Sequence, residues 1–232
     1  SAGAKLATTV WEIDLGLYYQ YGFDGTPYLQ WDDAFVFVLN ETDFRQTQLA
    51  DLTPVLRAVD AGRQPFQTEY VRRHHVGLDA ALPVGSFVLR LDAAYQTERV
   101  FYASDLSSHV SPTLLVVAAV EFQTGALDEV ILFEGVYIRM LEVSPKPLIG
   151  YRTESYGGSL IWRWPLFGKL GIDARASVGL APRMYILQPG LQFASEGFAL
   201  KLGAIILGGE RYSAGWYNRR NTGLFLQARY TF

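Results

Sequence analysis

The sequence predicts an all-β fold: an antiparallel transmembrane β-barrel of about twelve strands, about eleven of them readable, with a short helix in one long loop. Three observations predict it. Apolar and polar residues alternate over stretches too long for an ordinary sandwich strand. Charged residues fall on the same face as Gly, Ser and Ala, leaving large apolar residues together on the other face. Connections between the alternating stretches are short and long in turn.

A strand places successive side chains on opposite faces. Between Val10 and Gly22, Trp11, Ile13, Leu15, Leu17, Tyr19 and Tyr21 share one face, and Glu12, Asp14, Gly16, Tyr18 and Gln20 share the other. That run of about eleven residues matches a tilted membrane-crossing strand. The pattern returns with Val76, Leu78, Ala80 and Leu82 opposite Arg73, His75, Gly77 and Asp79, and with Leu89, Leu91, Ala93 and Tyr95 opposite Arg90, Asp92 and Ala94. It returns again with Ile172, Ala174, Ala176 and Val178 opposite Asp173, Arg175 and Ser177, and with Leu200, Leu202 and Ala204 opposite Lys201 and Gly203. A soluble barrel would turn its apolar face inward; here the face with charges and small residues reads as the lumen. Leu17, Leu78, Leu91, Val178 and Leu202 then face lipid. Trp11, Tyr95, Trp162, Trp164, Phe193 and Tyr230 suit the aromatic belts at the two membrane interfaces.

The readable strands lie near 10–22, 29–40, 66–82, 86–102, 113–122, 129–142, 155–164, 169–181, 183–193, 198–207 and 222–232. Short turns fall near 83–86, 124–128, 165–168 and 195–197; longer polar stretches cover 41–64, 103–112, 143–155 and 208–221. A two-residue turn at Val84-Gly85 would set Leu82 opposite Phe87, Leu78 opposite Leu91 and Asp79 opposite Arg90. In 129–142 both faces look apolar, and Glu134 and Arg139 have opposite parity, so a bulge is expected there. The loop over 44–64 breaks the alternation: Leu49, Leu52, Val55, Leu56 and Val59 recur at helical spacing, Thr53 and Pro54 suit a helix start, and Gly62 suits its end. That helix either constricts the lumen or packs on the rim. Bacterial single-chain barrels have even strand numbers. The odd count therefore calls for one more strand, from a segment not recognised, from an absent N-terminal portion, or from an additional chain. Residues 1–232 otherwise read as a single barrel domain.

Composition narrows the classes. Half the residues are hydrophobic, yet no apolar run approaches the ~20 residues of a membrane helix. The net charge of −3 argues against a nucleic-acid partner. The absence of cysteine excludes disulfides and thiolate metal sites. Ser1-Ala2-Gly3-Ala4 reads as a mature or engineered terminus from which an export signal has gone.

The last strand carries Leu224, Leu226, Ala228, Tyr230 and Phe232 on one face, opposite Gly223, Phe225, Gln227, Arg229 and Thr231. This resembles the C-terminal signal of Gram-negative outer-membrane proteins, which ends in an aromatic residue. The resemblance implies residence in the bacterial outer membrane among its lipid and lipopolysaccharide, and recognition of Tyr230 and Phe232 by the barrel assembly machinery. The stretches Val76-Gly77-Leu78-Asp79 and Ala93-Ala94-Tyr95 are similar to hairpins of larger porin-like barrels, which implies that this chain corresponds to a C-terminal portion of such a barrel.

The inner face is where function is to be sought. Arg73, Asp79, Arg90, Asp92, Asp173 and Arg175 are the candidate lumen-lining residues. Charges of both signs there need water or partners, which points to a narrow channel for passive passage of small polar solutes. A rival reading is a surface lipid hydrolase. His109-Val110-Ser111 resembles the His-x-Ser pair of some outer-membrane lipid hydrolases, and Glu121 shares its parity and could orient the histidine. A third reading is a non-conducting structural barrel sealed by its own ion pairs. His74, His75 and His109 have no zinc-site spacing, and no metal or cofactor is expected.

Overall fold

In the computed structural model the chain is described at residues 1–23, 27–32, 53–64, 66–123, 129–195 and 197–230. It is built on one antiparallel sheet of twelve strands, with a separate two-stranded sheet beside it. The sheet begins with β1 (Ala2–Val10) and β2 (Ile13–Phe23). The small sheet pairs β3 (Tyr28–Trp31) with β4 (Phe66–Glu69). The large sheet continues through β5 (Arg72–Val84), β6 (Phe87–Tyr102), β7 (Ser108–Gln123), β8 (Val130–Met140), β9 (Glu154–Phe167) and β10 (Leu170–Ala181). It ends with β11 (Arg183–Gln188), β12 (Gly190–Ser195), β13 (Phe198–Gly209) and β14 (Gly223–Tyr230). β11 and β12 lie end to end between β10 and β13, interrupted at Pro189, so the twelve strands form eleven rows. Proline has no N–H for the ladder, although its carbonyl still accepts from the Ala204 amide at 3.0 Å.

Four sequence expectations need correction. The strand expected at 29–40 is no row of the large sheet: its described part is β3, and residues 33–40 lie outside the described residues. The row that reading missed is β1, which pairs with β2 along its full length. Its turn is Trp11-Glu12, both residues at positive φ (49° and 73°). That is the backbone of the two-residue hairpin turn that usually carries Asn-Gly, so the turn escapes a search for glycine. Glu12 consequently sits at a tip and not on the inner face. The third correction concerns register. The β5–β6 turn is Gly85-Ser86, giving Val84↔Phe87, Leu82↔Leu89, Ala81↔Arg90 and Asp79↔Asp92. A shift of two residues keeps every side chain on its face but changes every partner. Fourth, β8 pairs in unbroken register with both neighbours and has no bulge. Arg139 stands on the outer face near the strand's end, 3.7 Å from Glu154.

The expected helix is present as α1 (Thr53–Asp60). Its end follows from Gly62, at φ 72°: the Gly62 amide donates to Val59 O at 2.9 Å and the Arg63 amide to Ala58 O at 2.9 Å. That double closure is the glycine-dependent helix stop. An Arg63–Asp32 ion pair ties the segment after α1 to the end of β3, and the Leu29 amide ties β3 to the Tyr102 hydroxyl at 2.6 Å. Leu49 and Leu52 lie outside the described residues.

The two faces of the large sheet differ in chemistry. Leu17, Leu78, Leu91, Val178 and Leu202 all stand on the outer face and are 43–55% exposed. Outer aromatic side chains gather near the two ends of the strands. Phe87, Trp162, Phe193, Phe198 and Tyr230 lie toward the short-turn end, and Tyr19, Tyr21, Tyr95, Tyr156 and Tyr185 toward the long-loop end. Aliphatic side chains dominate between them, with Phe133 the aromatic exception. Phe87 and Tyr95 on β6 are separated by roughly 27 Å along the strand. Among the described residues no helix is long and apolar enough to cross a membrane.

At the long-loop end the connections fold onto one another. Phe101, Ala103, Met140 and Leu148 form a small apolar cluster against Tyr151. The loop after β8 is held by Lys146–Asp105 at 2.5 Å and Arg152–Glu210 at 2.5 Å. A second short helix, α2 (Ala214–Asn218), is capped by Ser213 and followed by a 3-10 turn over Arg219–Asn221.

Candidate functional site

Alternation sends Lys5, Asp14, Tyr18, Asp79, Arg90, Asp92 and Glu121 to the inner face of β1, β2, β5, β6 and β7. Together with Thr9 and Ala81, most of them line a cavity of about 470 Å³ near the short-turn end. Lys5 reaches across β2 to Asp79 at 3.4 Å. It can do so because Gly16 lies between them: a Cβ on Gly16 would collide with the Asp79 carboxylate. Thr9 donates its hydroxyl to Asp14 at 2.7 Å, and Arg90 meets Glu121 at 3.2 Å. Asp79 and Asp92 face each other across the β5–β6 ladder. Two like charges directly opposite repel, and Lys5 offsets part of that repulsion. The Lys5 and Arg90 side chains are 62% and 51% exposed, so water reaches these charges.

A second polar group occupies the inner face of β9 to β13. Lys201 reaches over β12 to Asp173 at 2.8 Å, while Arg163 stands directly opposite Asp173. Asp173 is 8% exposed and its Oδ1 has no hydrogen-bond partner. Arg175 follows two residues along on the same face, opposite Ile161 and Gln188.

The six lumen candidates from the sequence therefore share one face but form separate groups. Asp79, Arg90 and Asp92 are together; Asp173 and Arg175 belong to the second group. Arg73 lies near the long-loop end, beside Tyr28, Gln96 and Arg99 around a further cavity of about 350 Å³. Lys5 is the principal residue the sequence reading missed, because the strand that carries it was missed. Its signal was the weak alternation of Gly3, Lys5, Ala7 and Thr9 against Ala4, Leu6, Thr8 and Val10.

The inner face is not uniformly charged. On the long-loop half of β7 to β11 it carries Leu115, Val117, Val136, Ile138, Met184 and Ile186. The sequence reading followed the charges and overlooked this apolar sector. Its residues alternate with apolar outer residues, so neither face stands out by composition.

His109 and Ser111 share a face of β7, but their polar atoms are engaged elsewhere. Ser111 is 0% exposed; its hydroxyl donates to Pro112 O at 2.9 Å and accepts from the Glu142 amide at 3.1 Å. The His109 ring approaches the Glu142 carbonyl at 3.2 Å. Glu121 lies at the far end of the same strand, roughly 33 Å away at ~3.3 Å per residue. The structure does not bring the three together. His74 faces outward, 2.8 Å from the Tyr19 hydroxyl, and His75 faces inward, as alternation predicts. Tyr230 is outward and 64% exposed; Phe232 lies outside the described residues. Among the described residues no group of His, Asp and Glu could hold a metal ion.

No family model, no curated protein and no solved structure matches the chain.

Proposed function

We propose that the large sheet is the wall of a transmembrane β-barrel in a bacterial outer membrane, and that its polar inner face lines a path for small polar solutes. One observation carries the reading: the outer face exposes an aliphatic zone between two aromatic rows, while charges and small residues share the inner face. Soluble proteins rarely leave so large an apolar surface uncovered. The spacing of the rows is close to the apolar band of about 25 Å that such barrels present to lipid. Lipid and lipopolysaccharide are the partners this surface fits. The terminal strand, through Tyr230 and Phe232, is the segment for the barrel assembly machinery to read.

Passage is supported by the wetted charges beside the 470 Å³ cavity. Their mixed signs give the path polar character, with Arg90 as an accessible cation near its short-turn mouth. The test is planar-bilayer recording of the purified chain. Steady conductance is expected, with Arg90→Glu shifting selectivity toward cations. Absence of conductance from correctly inserted protein overturns passage and leaves the sealed structural barrel. The hydrolase reading gains no support from the buried, already bonded Ser111 hydroxyl.

A further inference from the structure

The apolar sector of the inner face contains a cavity of about 390 Å³ between β8, β9, β10 and β11, under the long loops. That volume falls within the range of small-molecule sites, as does a wall of apolar residues with a few polar groups at one place. Its middle rung is Val136, Gly157, Gly179 and Met184, paired in sequence across the four strands. The two glycines project nothing, and a Cβ on Gly179 would meet Met184 Cγ at 2.8 Å. Met184 therefore already lies over the floor as one wall, and Val136 with Ile138 forms the other. Tyr151 and Ala214, from the two long loops, close the outer end.

The inner end is polar. Glu134, Ser159 and Ser177 stand side by side on neighbouring strands one rung deeper. No hydrogen bond or ion pair to protein is formed by the Glu134 carboxylate among the described residues, whereas Asp79, Glu121 and Asp173 each meet a cation. Arg175 is a rung further along, two strands from Glu134. A half-buried carboxylate at the mouth of an apolar slot is left without the cation that Asp79, Glu121 and Asp173 have.

We infer that this cavity is a binding site for a single-chain amphiphile with a protonated amine head, its chain between Val136, Ile138 and Met184 and its nitrogen at Glu134. The two serine hydroxyls supply further acceptors for the ammonium protons. The site is distinct from the charged cavity near the short turns, and its occupancy does not depend on solute passage.

The chain has no cysteine, so a single introduced thiol reports on the site. Ser177→Cys in the full chain, reconstituted in phosphatidylcholine vesicles, is reacted with N-ethylmaleimide. Dodecylamine at about twice its Kd should slow labelling about threefold, because only the empty fraction reacts. Dodecanoate, with a head that Glu134 repels, should leave the rate unchanged, and Glu134→Gln should abolish the protection by dodecylamine. Ala81→Cys, in the charged cavity, should be unaffected by either compound. Ser159→Cys, directly opposite, serves if the first variant does not insert. The inference is overturned if dodecylamine fails to protect, if Ala81→Cys is slowed equally, or if dodecanoate protects better. A silent bilayer recording with a protected thiol would remove passage and leave this site standing.

Discussion

Trp11 and Glu12 hold positive φ, a region that costs an L-residue roughly 1–2 kcal/mol. Replacing Trp11-Glu12 by Asn-Gly should therefore raise stability by about 1–2 kcal/mol in urea unfolding from detergent micelles. An unchanged midpoint would show that the turn carries no strain. Ser111 is the opposite case, a hydroxyl held by its surroundings. Ser111→Ala leaves the part-buried Glu142 amide without this acceptor, at a cost of about 1 kcal/mol. Lipid release in a vesicle assay should not change; its loss in a variant that still folds would restore a catalytic role. The faces themselves are tested by charge. If the outer face meets lipid as proposed, Leu91→Lys puts an ammonium in its aliphatic zone and should cost about 2–4 kcal/mol of insertion free energy. Ala81→Lys faces the wet cavity with Asp14 directly across on β2 and Arg90 directly across on β6; with the attraction and repulsion offsetting in exposed surroundings it should cost under about 1 kcal/mol. Equal losses for Leu91→Lys and Ala81→Lys would reverse the assignment of inside and outside.

The loop after β8 is the element in which electrostatics can be read most directly. Its Lys146 ammonium donates to Asp105, and the Ser107 hydroxyl and amide do so as well, holding the Asp105 carboxyl down at about 2. The sign follows from that depression. A carboxyl lowered in the folded chain contributes order that is full above its unfolded value near 4 and is lost as pH falls through about 2. Both partners are more than one third exposed, so screening keeps the energy small and the effect should show as local loosening. A spin label at Val143→Cys, a 70% exposed site, should stay immobile from neutral pH to about 4 and become mobile near 2. Asp105→Asn should be mobile already at neutral pH; matching spectra for the two chains would show that the ion pair does not hold the loop. This element also marks what was legible in the sequence. The end of α1 could be read because Gly62 supplies a backbone state that few residues adopt. The faces of β5 and β6 could be read because alternation depends on parity alone. Their register could not, because a slip of two residues leaves parity intact and only the turn geometry chooses between Gly85-Ser86 and Val84-Gly85. The contact of Lys146 with Asp105 joins two loops, and no periodic pattern records such a pairing.

Across the whole molecule, the direction of the rows sets a constraint that no single strand shows. Every neighbouring pair in the large sheet is antiparallel. With eleven rows, β1 and β14 at the two ends therefore run in the same direction, and among the described residues neither pairs with the other. Alternation in the sequence revealed the faces and an odd count of eleven, but not which segments make it up: a segment counted as a row stood apart, and β1 went unrecognised. An edge strand left open presents unpaired N–H and C=O groups, which lipid cannot satisfy. If the sheet closes on itself by the antiparallel pairing used everywhere else, a further row must stand between β1 and β14. Leu6 and Leu226 both face outward near the middle of their strands. With a row between them, their separation is about twice the ~4.8 Å strand spacing, beyond the ~7 Å Cα limit of a disulfide. A Leu6→Cys/Leu226→Cys chain oxidised in vesicles should accordingly give no intramolecular disulfide. Neighbouring controls such as Leu17→Cys/Leu78→Cys, directly opposite on β2 and β5, should cross-link readily. Efficient closure of the first pair would mean that β1 and β14 meet directly as parallel strands. The barrel would then have an odd number of rows, and no further segment would be needed to complete the wall.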